Sequence, residues 1–168
     1  MRPASLLILV ATTVLVAACS TTTPEVPATT VQSSGAPQPI EGYDWFLSED
    51  GTNAKLAYGT AQSDDMKLGL ECVRGTGKLD LTASADRGGS PEIHIESGGD
   101  TERYAAAAEP AEVHDGLILT AQAQGDAPVF QRFRRIGWLA VWQGGARQTY
   151  VSQPGSRDRI ERFFAFCA

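Results

Sequence analysis

Residues 66–72 read MKLGLEC, and this stretch decides the fold class because apolar and polar side chains alternate along it with a period of two. Side chains that alternate in this way point to opposite faces of a β-strand. We therefore predict a strand with one buried face, and the polar alternate positions would face solvent. The residues assigned to the buried face are Met66, Leu68, Leu70 and Cys72.

The same alternation recurs on both sides of this strand. The next strand reads KLDLTA at residues 78–83, and the RGTG turn before it places Gly75 and Gly77 where a hairpin requires positive φ. Further strand-like stretches are AKLAYG, EIHIES and GLILTAQA, at residues 54–59, 92–97 and 116–123. Loops rich in Gly, Asp and Ser separate these stretches, which favours an antiparallel sheet.

The C-terminal third predicts a helix, a hairpin and a second helix. In APVFQRFRRIG, residues 127–137, Pro128 suits the first helical turn and Gly137 suits the exit. WLAVW and QTYVS flank Gly144 and Gly145 and predict a hairpin. The apolar residues at helical spacing in the first helix are Val129, Phe130, Phe133 and Ile136.

The chain ends in IERFFAFCA, which predicts a final helix with one apolar face. Ser156 is the candidate N-cap, and Asp158 lies in the first turn. The residues that share the apolar face are Ile160, Phe163, Phe164 and Cys167.

These elements together predict an α+β fold. It would be mainly antiparallel β-sheet and sandwich-like, with a short helix and a C-terminal helix packed on the sheet. The globular domain would span residues 41–168, about 130 residues, which suffices for one hydrophobic core.

The first twenty residues resemble the precursor of a bacterial lipoprotein. An apolar run at residues 6–18 is shorter than the ~20 residues that cross a bilayer, and it indicates a secretory signal at residues 1–18. The run ends in Val16, Ala17, Ala18 and Cys19, which resembles a lipobox. The resemblance implies cleavage before Cys19, a diacylglycerol thioether on its sulfur, and acylation such as palmitate on the new amino group. The alternative is ordinary signal cleavage near Ala18 without a lipid.

Residues 19–40 predict the lipidated cysteine followed by a disordered spacer, because Ser, Thr, Pro and Ala dominate and Glu25 is the one charged residue. Ser20 is not the aspartate associated with retention in the inner membrane. In a cell with two membranes we therefore expect the protein on the outer membrane, facing the periplasm.

The cysteine count predicts one disulfide. The chain has three cysteines, and the lipobox uses Cys19. Cys72 and Cys167 remain in an exported and oxidising setting, and both lie on apolar faces. We expect a Cys72–Cys167 bridge; two buried free thiols are the alternative.

The sequence offers little catalytic or metal-binding chemistry. The two histidines, His94 and His114, belong to no recognised metal motif, and there is no G-x-S-x-G nucleophile elbow. The alternation places His94 on the solvent face, and His114 lies in a loop. We expect no enzymatic activity, no cofactor and no metal site.

The charge distribution is uneven and indicates a candidate binding site. Residues 41–127 carry seventeen acidic against six basic residues, a net −11, whereas residues 128–168 carry seven arginines against two acids, a net +5. Guanidinium groups bind carboxylate and phosphate, so an acidic envelope protein or polymer is a candidate partner. The alternative is that the arginines pair with the domain's own acids. A chain with pI near 4.9 is a poor nucleic-acid binder. The candidate residues are Arg132, Arg135, Arg147, Trp138 and Trp142.

A second resemblance concerns the globular domain. The strand stretch LGLEC and the stretch IERFF before a final helical cysteine are similar to small periplasmic accessory proteins of type VI secretion systems. The sequence as a whole predicts a membrane-anchored envelope lipoprotein that acts as a binding or assembly module. The alternatives are a secretion-system accessory protein, a hydrolase acting on the cell wall, and a structural spacer.

Overall fold

A computed structural model describes residues 36–112 and 115–168 of the chain. The predicted signal, the lipobox with Cys19, the spacer up to residue 35 and His114 lie outside the described residues. The described elements, in chain order, are β1 (Tyr43–Asp50), β2 (Asn53–Thr60), β3 (Met66–Val73), β4 (Lys78–Ala85), β5 (Glu92–Ser97), β6 (Asp100–Ala105), β7 (Ala107–Pro110), β8 (Leu117–Gln124), α1 (Pro128–Ile136), β9 (Trp138–Gln143), β10 (Ala146–Val151) and α2 (Arg157–Cys167).

The strands form two antiparallel sheets, as the sequence predicts for the fold class. One sheet has six strands in the order β1-β2-β3-β4-β8-β7, and the other has four in the order β10-β9-β5-β6. The sheets contact each other through β5 and β6 against β8, and through β1 against β10. The fold is therefore an α+β sandwich, dominated by strands.

The two helices complete the core between the sheets. Helix α1 packs on β5 and β6, α2 packs on β1 and β2, and the helices also touch each other. Phe130 and Phe133 of α1 meet Phe164 of α2, with ring centroids about 6 Å apart. The buried apolar side chains of both sheets and both helices form one continuous cluster. Burial of this surface is the main stabilising term for the domain.

Helix α1 follows the sequence prediction closely. Pro128 lies in the first turn, where its missing N–H costs nothing, and Gly137 ends the helix with φ +78°. A side chain there would be strained, and a Cβ at Gly137 would stand 2.8 Å from the Ser152 hydroxyl oxygen. Gly137 therefore lets the chain turn directly from α1 into β9.

The predicted apolar face of α2 is confirmed, but the role of Ser156 differs from the prediction. Ser156 stands at the N-cap position, yet its hydroxyl makes no capping bond to the helix. It donates instead to a carboxylate oxygen of Asp44 in β1. Asp44 also accepts from the Gln153 N–H at 3.0 Å and from Arg159 at 3.0 Å. One carboxylate thus fixes the start of α2 against β1.

The predicted disulfide is present. Cys72 in β3 and Cys167 at the end of α2 are bridged, with their Cα atoms 5.7 Å apart. The Gly77 N–H donates to the Cys167 carbonyl oxygen at 2.8 Å, and the Gly75 N–H donates to that of Phe166 at 3.3 Å. Gly75 and Gly77 have φ +71° and +67°, as the hairpin requires. The β3–β4 turn and the bridge together hold the C-terminal end of the chain.

The sequence did not predict three of the strands, and one residue lies on the wrong face. β1, β6 and β7 were not predicted, and every residue of β7 is exposed. The β2–β3 register shifts between Tyr58 and Gly59, so the alternation fails at the start of β3. The Met66 sulfur lies 3.1 Å from where a Gly69 Cβ would stand, on the face opposite Leu68. Met66 is therefore not part of the buried face that holds Leu68, Leu70 and Cys72.

Candidate functional site

Most arginines of the C-terminal third pair with acids of the same chain, which is the second of the two alternatives that the charge distribution left open. Five of the seven form ion pairs with N–O distances of 2.8–3.0 Å. Four of the five acids lie in the first part of the domain, so folding brings the two charge surpluses together. The pairs are Arg132–Asp100, Arg134–Glu161, Arg147–Glu96, Arg159–Asp44 and Arg162–Glu49.

The other two arginines meet at the C-terminal end of α1. Arg157 donates to the Arg135 backbone carbonyl, one of the oxygens that a helix end leaves without an intrahelical partner. A cation is also favoured at this end by the helix dipole. Arg157 therefore caps α1. The Arg135 side chain is exposed and pairs with no acid among the described residues.

Three of the five candidate residues come together on the outer face of the four-stranded sheet. Arg147 pairs across the strands with Trp142, and its guanidinium lies over the Trp138 ring at 5.2 Å. Arg132 and Arg135 lie on α1 and are not part of this group. The sequence-predicted set therefore divides into a tryptophan-arginine cluster on the sheet and two separate helix residues.

Glu96 of β5 organises this cluster. Its carboxylate accepts two bonds from the Arg147 guanidinium, at 2.8 and 2.9 Å, and one from the Trp142 indole N–H at 2.9 Å. The bidentate contact with Arg147 holds the pKa of Glu96 below its ordinary value, and the Trp142 bond lowers it further. Because the Glu96 side chain is only 14% exposed, water competes weakly for these bonds. The Trp142 ring is thereby fixed in one orientation.

His94 stacks on the same indole. It faces Trp142 across β5 and β9, and the two rings stack at 5.9 Å. Burial, and then the positive charge of Arg103, lower the pKa of His94. Among the described residues, His94 makes no hydrogen bond to an acid or a hydroxyl group. The prediction that His94 lies opposite Ile93 and Ile95 is confirmed.

Three adjoining clefts, two of them lined by Trp142, form what we call the Trp142 groove. The central cleft, of about 580 Å³, lies between the loop at residues 86–90 and the β9–β10 turn. A cleft of about 260 Å³ adjoins it at Glu92 and Trp142. A third, of about 240 Å³, adjoins it at Asp86 and Gln143. The groove therefore extends from the outer face of the four-stranded sheet to the seam between the two sheets.

The charged residues that line the Trp142 groove balance to zero. Three acids and three bases line the groove. Most are paired: Arg103 bonds Glu92, Lys67 bonds Asp65, and Arg87 bonds Asp115, which lies outside the lining. The contact with Lys67 lowers the pKa of Asp65. The lining charges are Asp65, Lys67, Asp86, Arg87, Glu92 and Arg103.

Hydrogen-bonding groups and bare backbone make up most of the remaining wall. Gln143 donates its amide nitrogen to the Ser84 carbonyl oxygen, which leaves the amide oxygen of Gln143 as an acceptor. Gly88, Gly144 and Gly145 all have positive φ and expose their backbone in the central cleft. The groove thus surrounds the fixed Trp142 ring with polar groups of both kinds, and it also includes the rings of His94 and Tyr150.

No protein-family model, curated protein or solved structure matches this chain. Among the described residues, no group of three His, Cys, Asp or Glu side chains could hold a metal ion. No helix in the described part of the chain is long and apolar enough to cross a membrane.

Sequence reasoning did not identify the residues that complete this site. Glu92 and Glu96 share the polar face of β5 with His94, so the alternation in EIHIES contained the necessary information. What the sequence could not show is that β5 pairs with β9, which follows it by more than forty residues. That pairing brings Glu96 to Trp142.

Proposed function

We propose that this chain is a membrane-anchored envelope lipoprotein whose globular domain is a non-catalytic binding module. The anchor rests on the sequence: a short apolar run ends in a lipobox-like motif at Cys19, and a polar spacer follows it. Acylation at Cys19 with more than one chain would hold the protein stably on a membrane. A disulfide between the other two cysteines agrees with an exported protein.

The observation that carries the binding function is the Trp142 groove. Binding sites are concave, and they combine an aromatic surface with a few fixed polar groups. Trp142 is held by the hydrogen bond from its indole N–H to Glu96 and by stacking with His94, so little conformational freedom is lost when a ligand packs against it. A purely structural spacer would not require such an organised surface.

The groove is a better candidate than the arginines for the site of binding. An acidic partner at Arg147 or Arg132 would have to displace Glu96 or Asp100, and each of these acids is already in hydrogen-bond contact. Breaking such a pair leaves the released carboxylate without its partner. We therefore assign recognition to the Trp142 groove and a structural role to most of the arginines.

A cell-wall hydrolase is the alternative function that the residues of the groove favour most, because two carboxylates, Asp86 and Glu92, line its central cleft. Two carboxylates in a cleft are the minimum for glycoside hydrolysis. Glu92, however, is paired with Arg103. Incubation of purified cell wall with the protein, followed by chromatography of the released fragments, distinguishes the two: we expect no release, and enzymatic release would overturn the non-catalytic assignment.

The anchor is tested by replacing Cys19. We expect the wild-type chain to incorporate radiolabelled palmitate and to fractionate with membranes, whereas Cys19→Ala should do neither. Separation of inner and outer membranes then gives the location. Incorporation of label into Cys19→Ala would contradict the proposed anchor.

The binding function is tested by crosslinking in the native envelope. A photoreactive amino acid at Ala146, which is exposed and lines the central cleft, should capture a ligand or partner. The same amino acid at Gln122, an exposed position of β8 outside the groove, is the control. Specific adducts from position 146 alone support the proposal. Secretion-apparatus subunits among these adducts would favour the accessory-protein alternative, and equal adducts from both positions would contradict the groove.

A further inference from the structure

The shape of the Trp142 groove carries information about its ligand. The three clefts adjoin one another, since neighbouring clefts share lining residues: Glu92 and Trp142 at one junction, and Asp86 and Gln143 at the other. A compact metabolite needs one enclosed cavity. An open groove of three connected sections instead suits a chain-like ligand that extends beyond the site at both ends.

The charges that line the groove further restrict the class of ligand that it can bind. Three acids and three bases balance, and two acid-base pairs form within the lining itself. Asp86 is the one lining charge without an ion pair among the described residues. A strongly charged polymer would meet repulsion and attraction in equal measure along this groove. A ligand without net charge fits the lining best.

The Trp142 ring provides a flat aromatic surface on which such a ligand can pack. One face of a pyranose ring carries several C–H groups and is apolar, so it packs by dispersion on a flat indole, while its hydroxyl groups point outward to polar neighbours. Around Trp142 those neighbours are the Gln143 amide, the paired Glu92 and Arg103, and the exposed backbone of Gly144 and Gly145. Donors and acceptors therefore surround the ring on several sides.

An extended peptide fits the groove less well than a glycan. Peptides that lie along a protein gain affinity from pockets for their apolar side chains or from an unpaired strand edge. The central cleft has few apolar residues apart from Trp142, namely Ala85, Leu119 and Ala146. Its walls are the loop at residues 86–90 and the β9–β10 turn, and the edge strand β10 beyond Ala146 lines only the third cleft, through Gln148 and Tyr150. We therefore propose that the Trp142 groove binds a neutral glycan chain, with one sugar ring stacked on Trp142.

This proposal rests on the proposed function and specifies its ligand. Calorimetric titration of the full chain, purified in detergent, with chitotetraose tests it directly. We expect saturable binding that Trp142→Ala weakens about tenfold or more, as for aromatic residues that dominate a binding site. Trp142→Phe keeps a stacking surface and should retain most of the affinity, and it serves as the second variant if Trp142→Ala is unfolded by circular dichroism.

Trp138→Ala is the matched control, because Trp138 lies on the same face of the same strand but lines none of the three clefts. Its affinity should stay within about twofold of the wild type. Binding that Trp142→Ala leaves unchanged would overturn the groove as the glycan site. Absence of glycan binding, with groove-specific crosslinks from Ala146 to an envelope peptide or protein, would overturn the glycan and leave the binding module standing. Absence of both would overturn the two proposals together.

Discussion

The double substitution Cys72→Ala and Cys167→Ala removes the covalent link between β3 and the end of α2. The bridge joins residues separated by 95 positions. In the chain-entropy relation, a loop of that length restricts the unfolded chain by an amount equivalent to about 4.7 kcal/mol at 25 °C. Both cysteines are buried, and alanine fills each site incompletely, which adds to the cost.

Other contacts of α2 persist in the double variant and limit the loss of unfolding free energy. The helix still buries Phe163 and Phe164, and the β3–β4 turn still donates to its last carbonyl groups. We therefore expect the variant to fold but to lose about 3–5 kcal/mol of unfolding free energy. Domains of this size are stable by about 5–15 kcal/mol, so the loss is a large share of the total.

The assay is urea unfolding followed by the emission of the three tryptophans, of which Trp45 is buried in the core. With a denaturant slope of about 2 kcal/mol per molar urea, the midpoint should fall by about 2 M. The wild-type chain under reductant is the control; it should gain the mass of two hydrogens and show a comparable loss. A midpoint shift below about 0.5 M with an unchanged slope would refute the view that the bridge stabilises the domain.

Three further substitutions test individual contacts. Glu96 has a lowered pKa in the folded state. Its contribution to the free energy of unfolding is therefore complete above its ordinary pKa of 4.5 and is lost as the pH falls through the lowered value. Glu96→Gln should therefore lose less thermal stability than the wild type between about pH 5 and pH 3, and an equal loss would contradict the contact. Gly98→Ala, whose Cβ would stand 2.9 Å from an isoleucine of α1, should cost about 2 kcal/mol in urea unfolding, whereas Gly99→Ala, with open space around it, should cost about 1 kcal/mol. Equal losses would contradict the predicted clash with α1. Asp44→Ala removes the acceptor for three donors at the start of α2 and should cost about 3 kcal/mol, with the exposed Asp50→Ala as control within about 0.5 kcal/mol.

The fold class follows from local patterns that tertiary contacts then reinforce. β4, β5 and β8 alternate regularly because one face of each is buried, and the sequence of β3 does so after the irregular start at Met66. β1 lacks a clear pattern because its last residues leave the core, and β7 buries nothing, so neither produces a periodic signal. The order of strands within the sheets depends on contacts between distant residues, which periodicity does not encode.

The candidate site could be predicted only in part for the same reason. The sequence alone identifies three of the site's residues as candidates, because aromatic and arginine residues are frequent in the C-terminal third. These residues are Trp138, Trp142 and Arg147. Charge counting showed that two surpluses exist but not how they pair. Arg159, for example, meets Asp44 across a separation of 115 residues. The groove itself depends on turns from separate parts of the chain, and no single stretch indicates it.

The most direct test of the Trp142 groove uses the three indole N–H groups as internal reporters. In a ¹H–¹⁵N correlation spectrum of the labelled chain, titrated with chitotetraose, the indole signal of Trp142 should shift progressively and saturate. The signals of buried Trp45 and of Trp138 should stay in place. Shifts confined to Trp138 or spread equally over all three indoles, or no shift at Trp142 at saturating glycan, would contradict the proposal.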